Sequence, residues 1–157
     1  MKKPNIEIGT KQHAEAIFQL IHELAEYENA PNEVTLSFQD FVNDGWGPQP
    51  RFETLIALVE GKVVGFMLFY PRYSTWKGPT LYLEDFVIKS HYRKMGIGTQ
   101  LFKVLKRIAH ERNVARLEWQ VLDWNSIAIE FYKKHKARID EEWLNVQFTK
   151  EDLKEIH

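Results

Sequence analysis

Apolar residues recur at helical spacing near the start of the chain. Ala14, Ile17, Phe18, Ile21, Leu24 and Ala25 share one face of a segment that Thr10 can cap and that runs to about Glu28. Pro31 and Asn32 then break the chain, and Ser37-x-x-Asp40 resembles a capping box, with Asp in the usual Glu place, opening a shorter second helix. Ahead of both, Asn5–Ile8 reads as a short strand. Beyond the glycine- and proline-rich loop over residues 45–50 the period changes to that of strands. Runs over 52–59 and 63–70 flank Glu60-Gly61-Lys62 and predict a hairpin. Residues 71–79 read as a polar and aromatic loop, and 81–88 as a third strand. A helix is predicted over 97–112, with Ile97, Leu101, Val104, Leu105 and Ile108 on one face. A strand over 115–122, a helix over 126–135 and a last strand over 143–148 complete the pattern, and Thr149-x-x-Asp152 can open a frayed helical end.

This order predicts an α/β (α+β) fold: one mixed sheet flanked by helices. The step from strand 81–88 through a helix to strand 115–122 is long enough for a right-handed parallel crossover. A ligand is expected beside the carboxyl end of the central strand, where strand order switches. No repeat, linker or low-complexity tract divides residues 1–157, so a single domain is expected.

Composition narrows the function. The chain has 157 residues, 44% hydrophobic and 27% charged, enough for a buried core. It has no cysteine, which excludes disulfides, thiolate metal sites and a cysteine nucleophile. The six histidines show no metal-binding spacing, so no metal is expected. A net charge of −1 argues against nucleic acid as a partner. The apolar run at residues 6–8 is too brief for a signal peptide or a membrane span, and a cytoplasmic protein away from membranes is expected.

Arg93-Lys94-Met95-Gly96-Ile97-Gly98-Thr99 is the sharpest local signal, because it follows a strand and opens a helix. Glycines let the backbone approach an anion closely, while helix N-terminal amides point outward with the positive end of the dipole. Arg93 and Lys94 add formal charge, and the physical expectation is a diphosphate. A nucleotide-hydrolysing P-loop is absent and the three-glycine dinucleotide fingerprint is incomplete.

Arg93-x-x-Gly96-x-Gly98 resembles the Arg/Gln-x-x-Gly-x-Gly/Ala motif of the GNAT superfamily of N-acetyltransferases. Tyr82-Leu83-Glu84-Asp85-Phe86, Leu24-Ala25-x-Tyr27-Glu28, Trp76, Asp123-Trp124-Asn125 and Phe131-Tyr132-Lys133 are similar to its diamine (spermidine/spermine) and thialysine acetyltransferase branch. The resemblance runs from about residue 5 to residue 149. It implies a twisted, mostly antiparallel sheet with a parallel strand pair at the acetyl-CoA site, and direct acetyl transfer to an amine in a ternary complex. By the same resemblance, Phe86, Val87 and Ile88 offer main-chain contacts to acetyl-CoA. Residues Arg93 to Thr99 hold its pyrophosphate, and Asn125, Ser126, Ala128 and Tyr132 complete the cofactor contacts. Tyr132 matches the tyrosine that protonates the leaving thiolate. Glu84 is the candidate base, acting through a water. Tyr27, Glu28, Trp76, Glu84, Asp85, Glu142 and Trp143 match positions around the amine, and a homodimer is implied.

Neighbouring strand residues face opposite ways, so Glu84 and Asp85 can share a side only if a bulge intervenes, as it does in relatives. Two departures stand out. Ser74 lies where polyamine-specific relatives place an acid, which favours a shorter or zwitterionic amine. Lys136 replaces the usual glycine after the catalytic helix. A polyamine or diamine is the first expectation for the substrate and a thialysine-like amine the second. A non-catalytic module that senses acetyl-CoA is the alternative of another class.

Overall fold

A single sheet organises the first part of the chain. In the computed structural model, which describes residues 3–154, its spatial order follows chain order: β1 (Asn5–Ile8), β2 (Glu53–Val59), β3 (Lys62–Ser74), β4 (Gly78–Ile88) and β5 (Leu117–Glu118). The first three pairings are antiparallel, while β4 and β5 run parallel after the crossover through α3 (Ile97–Glu111). The mixed, mostly antiparallel sheet with one parallel pair is therefore present. The described residues divide into two compact units, one ending at Gln120 and the other starting at Val121. The five strands, α1 (Ala14–Tyr27), α2 (Phe38–Trp46) and α3 belong to the first unit; α4 (Ser126–Lys134) belongs to the second.

Strand alternation sorts the sheet's two faces. Ile56, Phe66, Leu68 and Val87 join Ile17 and Leu20 of α1 and Phe41 of α2 in one core cluster. The intervening Leu55, Met67 and Phe69 are equally buried on the face that α3 covers through Ile97, Leu101 and Leu105. Phe86 meets Phe102 of α3 edge-on at 5.1 Å between ring centroids. Ser37 caps α2 as its sequence predicts, accepting from the Asp40 amide at 3.1 Å. Thr10 caps a short 3-10 turn that leads into α1.

Three expectations need correction. The segment 71–79 is mostly strand: β3 continues through Pro71 to Ser74, and β4 already starts at Gly78. Proline is tolerated because β2 pairing ends at Phe69, so no strand on that side requires the missing N–H. The strand expected over 115–122 shrinks to the two residues of β5. Residues 143–148 form no strand at all. Trp143, Leu144, Val146 and Phe148 are 77–90% exposed there. Their apolar pattern suits a sheet edge, but among the described residues no strand pairs with them, and an unpaired strand leaves its amides and carbonyls to water.

Candidate functional site

A bulge on β4 builds the site. Register passes from Leu68 opposite Asp85 to Phe69 opposite Leu83, so Glu84 is the inserted residue. Asp85 then lies on the Leu68 face, and Glu84 turns to the same side, where its carboxylate accepts a 2.6 Å hydrogen bond from the Tyr70 hydroxyl. Both carboxylates line a cavity of about 520 Å3 walled by Phe18 and Ile21 of α1, Phe41 of α2, Phe52 and Leu68. Burial, with the charges of Glu84 and then Glu28 adding, pushes the Asp85 carboxyl up to about 7. Glu28, at the end of α1, is itself raised by burial. Burial comes first in raising the Tyr70 phenol as well, followed by its bond to Glu84.

The glycine loop has the geometry an anion needs. Lys94 and Gly96 both take left-handed conformations, with φ of 62° and 77°, and Gly96 is the N-cap of α3. That cap has no side chain to accept from first-turn amides such as those of Ile97 and Gly98, which also lack intrahelical acceptors. A Cβ at Gly96 would meet nothing within 4 Å, so the approach to the loop is open. Arg93 is turned toward the sheet: its Nε donates to the Ile88 carbonyl at 3.0 Å, and its guanidinium stacks 5.3 Å from the Tyr27 ring centroid. The strand edge beside this loop is also open. β5 pairs with β4 only at Leu81 and Tyr82, so among the described residues no strand lies beyond Tyr82 on that side of β4, where Val87 and Ile88 follow.

In the second unit, Asn125 caps α4 through its side-chain oxygen, which accepts from the Ala128 amide at 3.2 Å. Ser126 opens that helix, and Tyr132 is buried within the unit, its ring edge-on to Phe131 at 5.8 Å. The Glu142 amide donates to Asp140, and Trp143 is exposed.

The structure thus brings Glu84 and Asp85 together in one wall, with the Glu28 charge acting on Asp85. Tyr27 instead faces Arg93. Trp76 caps the turn between β3 and β4 and is 84% exposed. Gly78, next to that turn, is six positions from Glu84, about 20 Å along the strand, so Trp76 does not join the cavity. Sequence reasoning missed Tyr70, Asp44 and Arg51. Tyr70 carries a signal in retrospect, since strand alternation sets it on the cavity side, but its bond to Glu84 depends on the bulge register.

These features, a parallel strand pair parting beside a bulged β4 and a glycine loop opening α3, are those of an acetyltransferase. A model of the acetyltransferase (GNAT) family matches residues 15–136, and the chain belongs to that family. Among its relatives is a thialysine N-epsilon-acetyltransferase of Bos taurus, 37% identical over 151 residues and covering 89% of each chain. A human spermidine/spermine N(1)-acetyltransferase-like protein 1 is 34% identical over 98% of this chain, which spans 24% of that longer protein. An integron cassette protein from the mobile metagenome of V. cholerae shares the fold, with a TM-score of 0.80 at 26% identity over 98% of this chain and 97% of its own.

Proposed function

We propose that this protein transfers the acetyl group of acetyl-CoA to a primary amine of a small cationic molecule, a polyamine, a diamine or a thialysine-like amino acid, by direct attack in a ternary complex. The observation that carries the reading is the β4 bulge, which sets two carboxylates in one cavity wall of a chain with an acetyltransferase fold. Acetyl-CoA supplies an activated acyl group as a thioester. The α3 N-terminus and residues Arg93 to Thr99 hold its diphosphate, and the main chain of Phe86, Val87 and Ile88 aligns its arm. Asn125, Ser126 and Ala128 are the further cofactor contacts of this reading.

An alkyl ammonium with a pKa of about 10.4 must lose a proton before its nitrogen can attack. Glu84 draws that proton off through a water. The new C–N bond forms as the C–S bond breaks, and Tyr132 gives the sulfur its proton. Glu28 attracts the cation beside Glu84 and Asp85, and Glu142 and Trp143 are the remaining candidates for cation binding. A homodimer belongs to this reading, supported by the exposed apolar run from Trp143 to Phe148. So does a cytoplasmic location, supported by a cysteine-free chain in which no described helix is long and apolar enough to cross a membrane.

The test is thiol release from acetyl-CoA with spermidine, spermine, putrescine, thialysine, lysine and lysyl peptides. Small amines are expected to react and peptides to fail. Turnover of peptides alone would overturn the substrate class, and unchanged turnover in Tyr132→Phe would remove the proton donor.

A further inference from the structure

The cavity beside Glu84 carries opposite charges at its far end. Asp44, near the end of α2, and Arg51, just before β2, line the same cavity as Glu84 and Asp85. Arg51 Nε lies 3.0 Å from Asp44 Oδ1, and the Arg51 amide donates to the Asp44 carbonyl at 2.7 Å, so the loop between them holds the pair in place. Among the described residues Arg51 has no other ion-pair partner, which leaves the terminal nitrogens of its guanidinium for a second carboxylate. Between the two charged ends the lining is apolar: Phe18, Ile21, Leu36, Phe41, Phe52 and Leu68. Arg51 lies two residues before β2 and Glu84 lies on β4; with β3 between them, those two strands run about 10 Å apart.

We propose that Arg51 and Asp44 bind the α-carboxylate and α-ammonium of an amino acid whose side chain ends in a primary amine, and so select amino acids over plain diamines. The inference rests on the amine-acetyltransferase reading and names its substrate class. The zwitterionic head sits on the ion pair, the methylene or thioether chain lies along the aromatic wall, and the terminal amine reaches Glu84 and Asp85. A plain diamine lacks the carboxylate and would set a second cation beside Arg51.

The experiment compares kcat/KM of the wild-type protein for thialysine, for thialysine methyl ester and for the diamine left when its carboxyl group is removed. The free acid is expected to exceed the ester by about tenfold, mainly through KM, a modest factor because Arg51 is largely exposed. In Arg51→Gln the acid-to-ester ratio is expected to fall to near one, and in Arg51→Glu the diamine should become the better substrate relative to the acid. Equal use of acid and ester by the wild-type protein would overturn the proposal while leaving the acetyltransferase reading intact; so would an unchanged ratio in Arg51→Gln. No thiol release with any of the amines would remove that reading, and the proposal with it. The wild-type comparison decides even if a variant fails to fold.

Discussion

Burial beside two other carboxylates keeps Asp85 protonated well above the range of an ordinary aspartate. The folded protein therefore binds a proton that the unfolded chain has lost, in the window between the ordinary aspartate value and about 7. Stability is expected to fall as pH rises through that window and to stay lower above it. Asp85→Asn should flatten this decline and raise the melting temperature at pH 8, as thermal melts across pH would read. Once Asp85 loses its proton it adds a negative charge beside Glu84 that favours a cationic substrate, so an acid limb in kcat/KM is expected near pH 7, and the same substitution should remove it. Tyr70 acts one step away, holding the Glu84 carboxylate by a 2.6 Å bond. Tyr70→Phe should lower kcat/KM by up to about tenfold, the range of one hydrogen bond to a charged group, with little change in fold.

Helix ends show where local sequence and backbone geometry agree and where they conflict. α1, α3 and α4 all finish in the same way, with a left-handed residue just past the helix and a return bond to the last turn. Asn29, Asn113 and Lys136 occupy that position, with φ of 59°, 51° and 60°. The bonds from Ala30 to Ala25, Val114 to Ala109 and Ala137 to Tyr132 complete the three motifs. Asparagine tolerates the conformation, whereas lysine adopts it at a cost. Lys136→Gly should therefore stabilise the end of α4 by about 1 kcal/mol, whereas Lys136→Ala should gain nothing, a contrast that hydrogen exchange at Ala137 can measure. The substitution relieves backbone strain next to Tyr132, whose carbonyl accepts the return bond. At the start of α3 the demand is opposite. Gly96 has open space around a would-be Cβ but a φ of 77°, so Gly96→Ala should cost about 1–2 kcal/mol through conformation alone. Calorimetry should show weaker coenzyme A binding for that variant.

The sheet sets what the whole molecule can do, because it brings residues distant in sequence into one wall. Phe18, Phe41, Phe52 and Glu84 come from four separate elements or their approaches, yet line one cavity. The exposed apolar run from Trp143 to Phe148 belongs to the proposed dimer; Val146→Glu with Phe148→Glu is expected to shift the molecular mass in light scattering from dimer to monomer. The helices, the first hairpin, the cap at Ser37 and the glycine loop were all legible in the chain, since each rests on short-range periodicity or on residues within one turn. Sequence alone also pointed to Glu84 and Asp85 and to the family.

What the chain could not reveal without its fold is which neighbours face each other. The side of the sheet that Glu84 takes, its bond to Tyr70 and the raised Asp85 carboxyl all depend on strand register. One inserted residue reverses every side chain's direction. Periodicity likewise asked for a strand at residues 143–148, but a strand exists only where another backbone completes its hydrogen bonds, and among the described residues none does.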